Sequence, residues 1–184
     1  MDSGHPLLIP LDAPGQWDEQ MVGGKAAKLA QLMRAGFEVP RGFCLTTRAY
    51  QAFVKNAGIT ATLRMELGRK SMDDMRWEEI WDAALRIRAT FLAQPLDGVL
   101  RETIAQGLAG FDAATPLAVR SSAIGEDSAG RSFAGLHESI IGVRGKQALE
   151  DAVRLVWASL WSDAALLYRK ELGLDPARSR MAVL

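Results

Sequence analysis

Residues 116–143, PLAVRSSAIGEDSAGRSFAGLHESIIGV, decide the fold of the chain around them. They open on a short apolar run at 117–119 that predicts a buried strand, and they close on a second run at 140–143 that predicts a returning strand. The residues between these runs include glycines at positions 125, 130 and 135. The sequence therefore predicts two strands joined by a long glycine-rich loop, with Arg120 at the entrance to that loop.

This loop has the residue types that hold a polyanion. Glycine lets backbone N–H groups approach an anion closely, and the planar guanidinium of Arg120 offers donors that match phosphate oxygens. Ser121 and Ser122 follow at once, and they either contact the anion or only shape the turn. A surface hairpin with a long loop explains the same composition, because a single glycine-rich loop is a weak signal of function.

Length and composition narrow the possible classes of protein. A chain of 184 residues is typical of one domain and is long enough to bury a core. Hydrophobic residues make up 48% and charged residues 24%, which indicates a globular protein. Because Lys+Arg and Asp+Glu both number 22, no basic excess favours nucleic acid and no polybasic run favours a membrane surface. A phosphate site must then depend on local residues.

Cysteine content and apolar runs indicate the compartment. The single cysteine, Cys44, lies in an apolar run and is predicted to be a small core residue. No apolar run approaches the ~18 residues of a membrane span. The first residues lack a basic segment followed by an apolar one, so no signal peptide is expected. We expect a cytoplasmic protein.

A second segment with phosphate-binding character lies near the N-terminus. Gly23-Gly24-Lys25 precede a predicted helix that ends at Gly36. Lys25 is either a solvated first-turn lysine or a phosphate ligand at a helix start, where anions are favoured. The apolar face of this helix contains Ala26, Leu29, Ala30 and Met33.

Hydrophobic periodicity predicts that much of the remaining chain is helical. Trp77 and Trp81 stand one turn apart in a helix that follows Ser71. They suit stacking on nucleic-acid bases, but their spacing with Ile80, Ala84, Leu85 and Phe91 favours a buried core stripe. The longest helix is predicted as one element with core tryptophans at 157 and 161. The predicted helices cover about 48–57, 59–70, the segment after Ser71, 97–108 and 145–173.

The strands are short. Residues 7–11 predict a strand, and Pro10 suggests that it lies at a sheet edge. Residues 181–184 begin an apolar strand with no obvious partner, which suggests that the chain is a fragment. We expect a mixed α/β, helix-rich fold, with a small sheet built from the regions of Phe43, Val119, Ile140 and Val183.

Three segments resemble the nucleotide-binding module of phosphoenolpyruvate synthase, pyruvate phosphate dikinase and rifampin (rifampicin) phosphotransferase. They are VGGKAAKL at 22–29 followed by VPRGF at 39–43, VRSSAIGEDSAGRSFAGLHES at 119–139, and WASLW at 157–161 with Tyr168-Arg169 close behind. They occur in the family's order over residues 21–169. The resemblance implies the N-terminal portion of a pyruvate phosphate dikinase-type ATP-grasp domain.

The resemblance also implies a site for ATP. Lys25 and Arg120 bind its phosphates, and Arg120 is the catalytic residue that stabilises charge as a phosphoryl group leaves. The other cofactor-binding positions belong to the loop that closes over the phosphates or lie near the nucleotide. These positions are Phe133, Ala134, Gly135 and Ser139.

Magnesium is the second cofactor that the resemblance implies. Glu126 and Asp127 in the loop are either its ligands, a solvated pair, or partners of Arg120 when no nucleotide is bound. We expect no metal ligand in this chain, because the family's ligands lie beyond Leu184.

Three loop residues are given no catalytic role. His137 is not assigned as a phosphate carrier, since the family's carrier histidine lies in another domain. Leu136 departs from the glutamine that many relatives have there, and this weakens any claim about a side-chain contact at that position. Arg131 either helps to attract ATP or is only solvated.

For the whole protein, the resemblance implies that residues 1–184 are an incomplete ATP-grasp domain of a longer enzyme. That enzyme splits ATP and passes a phosphoryl group, through a phosphohistidine domain outside this chain, to pyruvate. Its partners are ATP and the rest of the parent protein. A rifampin phosphotransferase is the alternative, and a stand-alone nucleotide-binding or inactive module is the non-enzymatic one. The fragment alone is expected to be inactive.

Overall fold

In the computed structural model, which describes residues 6–15, 17–124 and 135–184, one antiparallel sheet is flanked by helices. The strand order is β1-β2-β5-β3-β4. The predicted mixed, helix-rich fold is confirmed, with 55% helix and the four predicted regions in one sheet. The strands are β1 (Leu8–Pro10), β2 (Phe43–Leu45), β3 (Leu117–Ala123), β4 (Ser139–Val143) and β5 (Met181–Val183).

Most of the helices lie where apolar periodicity predicted them. Two short 3₁₀ turns, Met72–Asp74 and Pro176–Arg178, connect longer elements. No helix in the described part of the chain is long and apolar enough to cross a membrane. The helices are α1 (Glu19–Arg34), α2 (Thr47–Asn56), α3 (Ile59–Leu67), α4 (Trp77–Ala93), α5 (Gly98–Leu108), α6 (Lys146–Ser159) and α7 (Asp163–Glu171).

The two faces of the sheet pack against different helices, because neighbouring strand residues point to opposite faces. Val119, Ala123 and Val183 belong to the large core that most of the helices build. Cys44 and Ala182 face the other way, where α1 covers them in a smaller core. The prediction that Cys44 is a core residue is confirmed, since it has no exposed surface.

Strand β5 lies in the middle of the sheet. Its Val183 is in register with Leu45 of β2 and with Ser121 of β3. Leu184 continues the pairing, because its N–H donates to Arg120 O at 2.9 Å and its carbonyl accepts from Arg120 N–H at 2.8 Å. The prediction that the Val183 region joins the sheet is therefore confirmed, and the structure supplies the partners that were not obvious from the sequence. Strands β2 and β3 leave a gap, which β5 fills.

The segment predicted as one helix over 145–173 is broken into α6 and α7. Ser162 caps α7, since its Oγ accepts from the N–H of Ala165 at 3.1 Å. The buried guanidinium of Arg169 reaches back and donates to Leu160 O at 2.7 Å. A cap on one side of the break and a satisfied carbonyl on the other compensate for the lost helical hydrogen bonds.

The predicted core stripe of α4 is wrong for both of its tryptophans and for Leu85, which is 48% exposed. Trp77 is 63% exposed and Trp81 is 46% exposed. The buried side of α4 is formed by smaller aliphatic residues and one phenylalanine. These buried residues are Ile80, Ala83, Ala84, Ile87 and Phe91.

Candidate functional site

Helix α1 contains a break that sets the position of Lys25. Gly23 has φ 73° and ψ 167°, which are not helical angles. Asp18 caps the short turn before the break, where its Oδ1 accepts from the N–H of Gln20 at 2.9 Å. A new helical run starts after Gly23, as the sequence predicted, although the turn before it was not predicted. Lys25, which is partly exposed, lies in the first turn of this run.

The break brings the backbone of α1 against strand β3. A Cβ atom added to Gly23 would lie 2.0 Å from the carbonyl oxygen of Ser122 and 2.5 Å from its Oγ. Ser122 is fully buried, and its Oγ accepts from the N–H of Ala26 at 3.1 Å. Ser122 therefore joins the helix start that carries Lys25 to the strand that carries Arg120. Ser121 is also buried, but it points to the other face of the sheet.

Arg120 and Ser139 are direct partners across strands β3 and β4. Directly opposed residues of antiparallel strands point to the same face, so these two side chains lie side by side. Both are exposed. Arg120 is two positions from Ser122 and shares its face of the sheet, which is the face of α1. The N–H and the carbonyl group of Arg120 both form hydrogen bonds with the backbone of Leu184, and this fixes the start of the Arg120 side chain.

The residues that lead into β4 are anchored on helix α6. The N–H of Glu138 donates to Ser159 Oγ at 3.0 Å, and this hydroxyl donates to Val156 O at 2.7 Å. Gly135 is exposed with φ +78°, and a Cβ there would meet nothing within 4 Å. Several predicted loop residues lie outside the described residues. They are Phe133 and Ala134, together with Glu126, Asp127 and Arg131.

His137, in the segment that leads into β4, is partly buried and has a perturbed pKa. Burial and the positive charges of Arg169 and Lys25 lower the pKa of His137 from 6.5 to about 4. Imidazolium is disfavoured because it would be desolvated next to two other cations.

The lowered pKa predicts a specific loss of stability in acid. Between pH 6.5 and about 4 the unfolded chain binds a proton at His137 that the folded chain does not, so the free energy of unfolding falls as the pH falls through this window. We expect roughly 2–3 kcal/mol of this loss to come from His137. Urea unfolding of the wild type and the His137→Gln variant at pH 7, 6, 5 and 4.5 measures it. Equal losses in the two proteins would contradict the assignment.

Together these residues supply groups that can donate to an anion, and they come from two segments far apart in the sequence. Lys25 supplies an ammonium group at a helix start, Arg120 a guanidinium and Ser139 a hydroxyl. This combination fits phosphate groups well, since anions are favoured at helix starts and by charged donors. Within the described ranges no group of three His, Cys, Asp or Glu residues is placed to hold a metal ion.

Sequence reasoning missed two of the contacts that build the site. The double glycine indicated the helix start, but it did not reveal that Gly23 lies too close to Ser122 for any side chain to fit. Ser159 gave no signal, because a serine within a helical pattern does not show which backbone group it will bind. Both serines act through backbone groups, so they position the donors of the site.

Comparison with known proteins identifies the family. The family model described as pyruvate phosphate dikinase, AMP/ATP-binding domain, matches residues 19–184. The chain is similar to a phosphoenolpyruvate synthase of Aeropyrum pernix, with 38% identity over 97% of this chain and 22% of that protein. It is 38% identical to a rifampicin phosphotransferase of Streptomyces sviceus over 89% of this chain and 19% of that protein.

A third relative, the phosphoenolpyruvate synthase of Escherichia coli, is 34% identical over 95% of this chain and 23% of its own length. The chain thus spans about a fifth of the length of these relatives. Since the family model covers nearly the whole chain, the resemblance inferred from the three sequence segments is confirmed. The chain belongs to the pyruvate phosphate dikinase family, as part of its AMP/ATP-binding domain.

Proposed function

We propose that residues 1–184 are the first part of the ATP-grasp domain of a longer phosphotransferase and bind the phosphates of ATP. One observation carries this proposal: Arg120 and Ser139 are cross-strand partners, and Ser122 joins their sheet to the helix start that bears Lys25. Two segments far apart in sequence, the start of the helical run after Gly23 and the β3–β4 pair, thus bring anion donors to one face of the sheet.

Each donor has a distinct role in the proposed site. Arg120, whose backbone is hydrogen-bonded on both sides to Leu184, is the catalytic residue that stabilises charge as a phosphoryl group leaves. Lys25 and Ser139 bind the nucleotide. The loop of Phe133, Ala134 and Gly135 closes over the phosphates.

The longer protein, in this proposal, is a phosphoenolpyruvate synthase-like enzyme of the cytoplasm. It splits ATP and passes a phosphoryl group to pyruvate through a phosphohistidine domain outside residues 1–184. Its relatives are four to five times longer than this chain, which leaves room for such domains. The Mg²⁺ ligands are also expected outside this chain. Alone, residues 1–184 bind nucleotide weakly and do not turn it over.

A rifampicin phosphotransferase is the second candidate. It is favoured by the 38% identity to the Streptomyces sviceus protein, which equals the identity to the Aeropyrum pernix synthase. The acceptor that takes the phosphoryl group in the longer protein distinguishes the two. A module that binds nucleotide without transferring phosphate is the non-enzymatic candidate, and phosphoryl transfer by the longer protein would eliminate it.

The proposed site predicts that Arg120→Ala weakens ATP binding by about ten-fold or more, because a charged donor to phosphate is lost. Calorimetric titration with ATP and Mg²⁺ measures the dissociation constant. Arg178→Ala is the matched control, since Arg178 has an 88% exposed side chain and pairs only locally with Asp175 among the described residues. It should bind like the wild type.

An Arg120→Ala variant with unchanged affinity would contradict the assignment of Arg120. If the wild-type fragment binds no ATP, the same titration on the longer protein decides the matter. Binding there that depends on Arg120 would mean that the rest of the domain is needed. No binding there would overturn the proposed function.

A further inference from the structure

Helix α4 exposes four large apolar side chains on one side, which we call the tryptophan stripe and define as Trp77, Trp81, Leu85 and Leu92. Arg88 lies on the same side, between Leu85 and Leu92. The exposed fractions of the four apolar side chains are 63%, 46%, 48% and 39%. At 3.6 residues per turn the four side chains fall within an arc of about 80°. They form one line along the helix, next to the buried side that packs in the core.

Such a surface is often functional. Scattered exposed apolar residues are common, whereas the largest apolar patch of a typical monomer covers about 300–600 Å² and often has a functional role. The exposed fractions here amount to roughly 400 Å², most of it from two aromatic rings. Tryptophan is also the residue type most enriched among those that dominate binding energy at interfaces.

The charges beside the stripe indicate the chemistry of what covers it. Glu78 and Asp82 follow the stripe along its solvent side, and both are exposed. Asp82 has a loose pairing with Arg86 at 3.7 Å. A covering surface that places apolar side chains over the rings and basic side chains toward Glu78 would be complementary.

The stripe adjoins the candidate site. Arg88 lies on the same arc of α4, and its Nη2 is 4.0 Å from the carboxylate of Glu138. Glu138 is the residue before β4, and its N–H donates to Ser159 Oγ. A partner on the stripe would therefore lie next to the segment that leads into Ser139.

We propose that the tryptophan stripe is the docking surface for another domain of the same longer polypeptide, outside residues 1–184, with an apolar face bordered by basic residues. This rests on the proposed longer protein, since about four-fifths of each relative's length lies outside the region that matches this chain.

The size of the stripe favours a tethered domain over a second copy of this chain. Stable complexes between separate proteins bury about 800 Å² on each partner, roughly twice the stripe. A domain on the same polypeptide binds with a high effective concentration, so a smaller surface suffices. The occupant is then always present, and it can leave the stripe without dissociating.

Thiol labelling tests the proposal, because the chain has a single cysteine and that cysteine does not react. Cys44 is fully buried, and burial raises the pKa of its thiol. The variant Leu85→Cys places a reactive thiol in the stripe, and Lys55→Cys places one on an exposed position of α2. Each is made in residues 1–184 and in the longer protein, and labelling at each site is followed by mass spectrometry.

We expect the Leu85→Cys thiol to react about ten-fold or more slowly in the longer protein than in residues 1–184, and the Lys55→Cys thiol to react equally in both. Adding Trp77→Gln and Trp81→Gln to the longer protein should restore the fast rate, and these exposed positions should not affect folding. Equal Leu85→Cys rates in the two lengths would overturn the proposal. So would sedimentation of residues 1–184 as a dimer that these glutamine substitutions dissociate. No nucleotide is used, so the outcome is independent of ATP binding.

Discussion

A Gly23→Ala protein is expected to lose its native fold or more than about 3 kcal/mol of stability, with ATP binding lost as well. The new methyl group would lie 2.0 Å from the carbonyl oxygen of Ser122, which belongs to strand β3 and cannot move without breaking the sheet. The angle φ of +73° adds strain for any residue with a side chain. Urea unfolding followed by circular dichroism measures the loss.

Gly36→Ala is the matched control for this substitution. Gly36 has φ +86°, but a Cβ there would meet nothing within 4 Å. Only the conformational strain remains, and we expect a cost of about 1 kcal/mol. If both variants lose the same stability, the close contact with Ser122 is not what requires a glycine at position 23.

The second large effect is expected for Trp157→Ala, at about 4–5 kcal/mol. Trp157 has no exposed surface, and its ring stacks on Phe53 with centroids 5.2 Å apart. Its Nε1–H donates to Met181 O at 3.2 Å, so the substitution would also leave a carbonyl of the central strand β5 without this donor. The midpoint and slope of urea unfolding give the loss.

Two other variants separate the causes of this loss. Trp157→Phe keeps much of the apolar volume but removes the hydrogen bond to Met181, and it should cost less than the alanine variant. Trp77→Ala removes the same type of side chain from a 63% exposed position and should change stability by less than about 0.5 kcal/mol. A large loss for Trp77→Ala would mean that the ring is packed in the folded protein.

The contrast between Trp157 and Trp77 shows what periodicity can predict. Apolar spacing located most of the helices and the burial of Trp157, but it joined α6 and α7 into one helix. On α4 the apolar residues cover a wide arc, and periodicity cannot show where along that arc the core ends. The segments packed against α4 set the edges of its buried side. Arg86 on the far side of α4 pairs with Glu66 of α3, and Arg88 beside the tryptophans pairs with Glu138, which precedes β4.

The residue types of the candidate site could be predicted from the sequence, but the contacts that hold those residues in place could not. Lys25, Arg120 and Ser139 carry functional groups that suit phosphate, and each stands in a recognisable segment. The contact of Ser122 with Ala26 spans 96 positions, so only the folded chain reveals it. The same applies to β5: its apolar residues predicted a strand, but its two neighbours depend on the gap that β2 and β3 leave.

The central place of β5 constrains how the protein can fold during its synthesis. Residues 181–184 are made after all the other described strands, yet they pair with β2 and β3, which are about 140 and 60 residues earlier in the chain. Until these residues leave the ribosome, β1 and β2 cannot join β3 and β4, and the two strand pairs cannot form one continuous sheet. Folding must therefore wait for a late segment, and the nascent chain is open to aggregation or chaperone binding until it arrives.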